Sequence, residues 1–363
     1  MNKSCLIGFL MCSAFSLVVQ AATDGAHITK TISQIERKKG IKRTIQYRPD
    51  GNDFVCVNGK NRYTRALYGG ITDFRIETSD RPVFATYKPK DSKHICFRLQ
   101  CGNQSIALDS LKFCEARYRA GRRTYRLTDP LLGKGELNIS VLAFPDAEGG
   151  IWRFTMKDMP EGALLHCYIS EIRAKNLSRN GDMGADRADS FDAPQLPKEQ
   201  KHYKLSLDGT TAYIVVEDQE LRLPALVEGT SLYDKSEKWR SEIESSLQIS
   251  TPDPYFNPLG GALAAAADGI WDGKIWLHGA IGWRSQLNGW RAAYIGDFIG
   301  WHDRARTHFD SYAASQVTDV PATIPHPTQD TALHLARSVK KWGTPHYSNG
   351  YICRTPYRKD QMH

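Results

Sequence analysis

Several chemistries are missing from this sequence. There is no nucleophile elbow, no phosphate-cradling glycine loop, no dinucleotide fingerprint, no helical histidine pair for zinc and no Cys-x-x-Cys. These absences argue against serine-hydrolase, P-loop, dinucleotide-dependent and zinc-dependent chemistry, and no cofactor is expected. After Glu244 the chain has no glutamate, so every later carboxylate side chain is an aspartate. Beyond residue 21 no apolar run approaches the ~20 residues of a spanning helix, so no transmembrane segment is expected. No internal repeat or low-complexity tract is present.

The first 21 residues are different. Lys3 is followed by the apolar run from Leu6 to Met11, continuing through Phe15 to Val19 and closing on Val19-Gln20-Ala21. This is the layout of a cleavable export signal, with cleavage expected after Ala21. The protein is therefore expected to be periplasmic or secreted. Lipid attachment at Cys12 is the weaker alternative, because Phe9-Leu10-Met11 in front of it lacks small residues. Loss of the signal leaves Cys56, Cys96, Cys101, Cys114, Cys167 and Cys353 in a compartment where disulfides persist. Their spacing matches no zinc pattern, so buried thiols or one local disulfide are expected and no metal site.

The charge is 48 Lys plus Arg against 40 Asp plus Glu, and removing Lys3 leaves 47 minus 40, or +7. The densest basic stretch, Arg37 to Arg43, reads as a solvated edge, and no nucleic-acid partner is expected. With 41% hydrophobic residues the chain can bury a core.

From about Lys42 to Ser250 short runs rich in β-branched and aromatic residues predict a β-sandwich: Ile95–Leu99, Glu136–Val141, Ile151–Met156 and Leu164–Ile169. Asp208-Gly209, between alternating runs from Leu205 to Val216, predicts a hairpin. Residues 176–201 read as one long surface loop. At Ser250 the pattern changes. A proline-rich connector, Thr251 to Pro258, precedes a helix with Leu259, Ala262, Leu263, Ala266 and Ile270 on one face. A second helix is predicted over Ala292–Ala314 and a third from Thr328 to Trp342. The expected organisation is a signal (1–21), a β-sandwich (22–250) and a partial α-helical domain (251–363).

Six of the eight tryptophans, at 271, 276, 283, 290, 301 and 342, follow the connector. Indoles beside arginine, aspartate and histidine suit sugars, whose C–H faces stack while their hydroxyls need directed donors and acceptors. On one continuous helix Asp297, Trp301 and Arg304 would share a stripe. The structural alternative is a helical ion pair at the core margin.

The connector, the Ala-rich helix, Trp276-Leu277-His278-Gly279-Ala280, Gly282-Trp283-Arg284, Gly289-Trp290-Arg291, Asp297 and Gly300-Trp301-His302-Asp303-Arg304 follow one another in an order that resembles bacterial glycoside hydrolases of the six-hairpin, (α/α)6-barrel superfamily, particularly the exported enzymes of Bacteroidetes. The resemblance covers residues 251–363 by motif and the β domain by architecture. It implies a multidomain fold, β then α, with an N-terminal β-sandwich followed by the first helices of an (α/α)6 toroid whose funnel holds an oligo- or polysaccharide of plant or host origin. In the inverting chemistry common there, an acid protonates the leaving oxygen and a base activates water. Asp297 and then Asp303 are the candidate catalytic carboxylates, and Trp283, Arg284, Trp290, Arg291, Trp301, His302 and Arg304 the candidate sugar-binding residues. Only 113 residues lie beyond Ser250, enough for about three helices, so the chain is expected to be the N-terminal part of a longer hydrolase. A non-catalytic carbohydrate-binding or envelope protein built on the sandwich is the alternative.

Overall fold

Alternation of inward and outward side chains builds most of the molecule. In Phe113–Arg119 the residues Cys114, Ala116 and Tyr118 are buried while Glu115, Arg117 and Arg119 face outward, the period of two that a half-buried strand requires. The computed structural model describes residues 46–88, 91–175, 188–277, 290–314, 345–348 and 351–354. The expected signal with its cleavage site and the helix expected over Thr328–Trp342 lie outside the described residues.

Two antiparallel sheets face each other. The first has the order β1 (Arg48–Asp50), β2 (Asp53–Val57), β8 (Phe113–Arg119), β9 (Arg122–Thr128), β10 (Glu136–Ala143), β11 (Gly149–Lys157), β14 (Thr211–Glu217), β15 (Glu220–Arg222). The second has the order β13 (Gln200–Ser206), β12 (Leu164–Glu171), β6 (Asp91–Cys101), β5 (Val83–Lys88), β4 (Arg75–Thr78), β3 (Arg65–Tyr68), with β7 (Gln104–Ala107) also paired to β6. A further hairpin joins β16 (Pro345–Ser348) to β17 (Tyr351–Arg354). The β-rich N-terminal architecture expected from the sequence is present, and all four quoted runs are strands.

Between the sheets lies one apolar cluster. Phe84 sits at its centre, with Phe97, Tyr125 and Trp152 edge-on at 5.6–5.8 Å between ring centroids. Such pairs add ~0.5–1.5 kcal/mol each beyond burial. Cys56, Cys96, Cys101, Cys114 and Cys167 carry free thiols. Burial raises the Cys114 thiol to about 12 and pushes Cys167 well above its usual range, so both behave as apolar residues.

Three sequence expectations change. Asp208-Gly209 does not close a hairpin: β13 pairs with β12 in the second sheet and β14 with β11 in the first. β14 is buried on both sides, whereas β13 is an exposed edge, so the chain crosses between layers at Leu207, whose N–H donates to the Ala163 carbonyl at 3.0 Å. True tight turns occur at Ala120-Gly121 and Asp218-Gln219, each with both φ values positive.

The stretch before Ser250 is not all β. Helix α1 (Leu226–Ser245) lies on the outer surface of the first sheet. Its buried stripe is Gly229, Tyr233, Ser236 and Arg240, helically spaced but scarcely apolar, and so invisible to hydrophobic periodicity. Gly229 is required because a Cβ there would lie 2.3 Å from the Tyr213 ring.

The helix expected over Ala292–Ala314 is two. After α2 (Leu259–Gly269) come α3 (Trp290–Phe298) and α4 (His302–Ala314), separated at Gly300, where φ is +82°. Gly300 N–H donates to the Asp297 carbonyl at 3.3 Å and Trp301 N–H to that of Gly296 at 2.7 Å, a Schellman stop. No described helix is long and apolar enough to cross a membrane.

Candidate functional site

The helices after the connector assemble around tryptophan. Trp271 and Trp276 bridge across a short turn capped by Asp272, whose carboxylate accepts from the N–H groups of Lys274 at 2.9 Å and Ile275 at 2.7 Å. Trp276 is fully buried. Its indole N–H donates to the Ala267 carbonyl at 3.1 Å, and its backbone N–H donates to His308 Nδ1 at 3.1 Å. A Cβ on Gly296 would lie 2.4 Å from this indole, which is why α3 can approach so closely. Trp276 is therefore core and anchors α2, α3 and α4 to one another.

Arg304 sits beside that core with its plane partly open to solvent. Its Nη1 donates to Asp268 Oδ1 at 2.7 Å, and its guanidinium lies 4.3 Å from the Trp301 ring centre and 5.7 Å from that of Trp271. Trp301 is itself fixed, its indole N–H donating to Ser246 Oγ at 3.2 Å just beyond α1. Burial pushes the Asp268 carboxyl above its usual range and the Arg304 charge opposes this, with burial prevailing. The direction of that shift is the one that a general acid needs.

The sequence candidates separate. Trp301 and Arg304 join the cluster just described. Asp297 and His302 meet each other, His302 Nδ1 and Asp297 Oδ1 being 3.3 Å apart, and both are exposed. Because Gly300 breaks the helix, Asp297, Trp301 and Arg304 do not form one helical stripe. Asp303 is 97% exposed and lies 3.8 Å from Arg306, a pairing that contributes little in water. Trp290 and Arg291 lie in the first turn of α3. Trp283 and Arg284 lie outside the described residues. Asp268 and Trp271 were not singled out by spacing, although a lone carboxylate at the end of the alanine-rich run Leu259–Ile270 was a usable signal.

A second region is the cleft of about 660 Å³ between the end of α1, the β8–β9 turn and the connector. It holds Glu237 and Glu244, both engaged. Arg240 donates to Glu244 and to Glu237 at 2.7 Å each, Arg119 to Glu244 at 2.7 Å and Arg122 to Glu237 at 2.7 Å. Burial pushes the Glu244 carboxyl up, but the bonds from Arg240 and Arg119 outweigh it and leave it below the usual range. These carboxylates clamp α1 to the sheet, each already held by two arginines. Among the described residues no three His, Cys, Asp or Glu side chains converge as metal ligands.

Comparison with known proteins gives one family match. A family model described as a domain of unknown function (DUF4450) matches residues 89–216, from the start of β6 through most of β14, and so draws on both sheets of the sandwich. No curated protein matches the chain.

Proposed function

We propose that this is an exported carbohydrate-active protein, a glycoside hydrolase-like chain in which the β-sandwich precedes the first helices of an (α/α)6 toroid. The observation that carries this reading is Arg304, held by buried Asp268 against the faces of Trp301 and Trp271. Flat indole and guanidinium surfaces beside carboxylates offer both the stacking and the directed hydrogen bonding that a sugar ring needs. Asp297, paired with His302, is the accessible carboxylate next to this cluster and the first choice for a proton-transferring role, with Asp303 second. The motif resemblance of residues 251–363 supports the same assignment. Export to the periplasm or medium follows from the signal-like first 21 residues.

The test is release of reducing ends from a panel of plant and host polysaccharides, with retention on the same immobilised glycans. Asp297→Asn should abolish release and weaken retention while leaving the melting temperature unchanged. Undiminished release by that variant would remove Asp297 from the site. A second reading, saccharide binding without catalysis, is favoured by the position of the 660 Å³ cleft against the sandwich rather than around Asp297. It requires retention with no bond cut.

A further inference from the structure

The outer surface of the first sheet has two unlike halves. Under α1 it is apolar, with Leu142, Ile151, Tyr213 and Val215 packed around Tyr233. From the margin of the helix outward it becomes polar in register. One row across four strands reads Arg117, Thr124, Ser140, Arg153, from the pairings Arg117↔Thr124, Thr124↔Ser140 and Ser140↔Arg153. Small hydroxyl residues at the two central positions, with arginines at either end, leave a depression whose floor is hydroxyl-lined. With strands about 4.8 Å apart the arginine backbones stand about 14 Å from each other. The depression is a pocket of about 340 Å³, bounded also by Arg122 and Tyr233, and falls at the small end of the range for ligand sites.

The arginines differ in how their charge is met. Arg117 bonds Asp50, Asp53 and Glu115, and Arg122 bonds Glu237. Arg153 instead lies over the Tyr233 ring, 3.8 Å from its centre, and no carboxylate among the described residues pairs with it. Tyr233 is held in place by its hydroxyl, 2.7 Å from Ser140 Oγ. The Nε atoms of Arg153 and Arg122 are both shielded from water without a hydrogen-bond partner. One uncompensated, aromatic-backed guanidinium thus faces a floor of hydroxyls whose neighbouring charges are already neutralised. That combination suits a ligand with one anionic group and several hydroxyls.

We infer that this pocket is a subsite for an anionic sugar ring, its carboxylate or sulfate paired with the Arg153 guanidinium and its hydroxyls bonded to Thr124 and Ser140. The planar fork of arginine matches either oxyanion in a two-bond geometry that a lysine cannot reproduce. The inference rests on the carbohydrate reading and adds the charge class of the saccharide.

Calorimetric titration of the full chain with three matched disaccharides, one uronate-bearing, one sulfated and one neutral, tests it. At least one acidic sugar should bind tenfold or more tightly than the neutral one, and which acidic sugar does so identifies the anion. Arg153→Gln should erase that preference, and Arg153→Lys should restore only part of it. Thr124→Phe, which fills the floor from an outward-facing strand position, should abolish binding with the fold intact by circular dichroism. Equal binding of the neutral sugar, or an acidic preference that survives both Arg153→Gln and Thr124→Phe, overturns the subsite while leaving the carbohydrate reading standing. Failure of the full chain to bind or cleave any saccharide overturns both.

Discussion

The sandwich and the helices after the connector solve burial differently. Two sheets present complementary apolar faces to each other, and nearly every inward residue from Leu67 to Leu221 is sealed. The helical region buries a small cluster, Trp276 with Ala305, backed by Ile270, Trp271, Ile295 and Trp301. Around it Phe298 is 84% exposed and Tyr294 49% exposed, with Leu263 and Phe309 also open. A sheet pair closes its own core, whereas a helix has a stripe on which further helices must pack. Exposed apolar side chains gathered in one region mark a surface suited to further contacts.

Substitutions can break this contrast, beginning with the largest effect. Trp152→Ala removes a fully buried indole from the inter-sheet core and should cost about 3–5 kcal/mol, melting the strands cooperatively in far-ultraviolet dichroism. Trp276→Ala should cost a similar ~3–5 kcal/mol of local stability, but hydrogen exchange should show α2 to α4 opening while the sheets stay protected. Loss of sheet protection in that variant would mean that the two regions fold as one unit.

A smaller effect tests the seat of α1 on the sandwich. Tyr233→Phe removes the hydroxyl shared with buried Ser140 and should lower stability by ~0.5–1.5 kcal/mol, read from denaturant midpoints. Asp268 provides a pH signature. Its folded carboxyl is raised above the ordinary value of 3.8, so the folded state holds its proton longer than the unfolded chain. The contribution is fully present below that ordinary value and is lost as pH rises through the raised one. Wild type should therefore lose stability relative to Asp268→Asn as pH rises across this window, and parallel melting-temperature curves would exclude Asp268 as the titrating group. The smallest effect is expected at Asp297. Asp297→Asn should change stability by less than ~0.5 kcal/mol, because its contact with His302 is solvent-exposed.

Legibility followed the range of the forces involved. Strands such as Glu136–Ala143 could be read because alternation is local. Helix α1 could not, since its buried stripe of Gly229, Tyr233, Ser236 and Arg240 is defined by what the sheet offers it: the Tyr213 ring, the Ser140 hydroxyl and the Ala120 carbonyl. The break at Gly300 was visible as a glycine, but a glycine inside a helical pattern only permits a stop; the capping bonds to Gly296 and Asp297 make it one. For the candidate site the sequence supplied Trp301 and Arg304 and overlooked Asp268, whose importance comes from burial against Arg304.

By itself the sequence determined the strand character of runs such as Ile95–Leu99 and Leu164–Ile169, the change of character at Ser250 and the crowding of tryptophan beyond it, because these depend on neighbours a few residues apart. Only the tertiary structure decided that β13 and β14 belong to different sheets, that Asp297 and Arg304 lie on separate helices, and that Arg153 meets an aromatic ring and, among the described residues, no carboxylate. Those outcomes depend on which distant surfaces meet, and burial, not spacing, sets the energy of each polar group there.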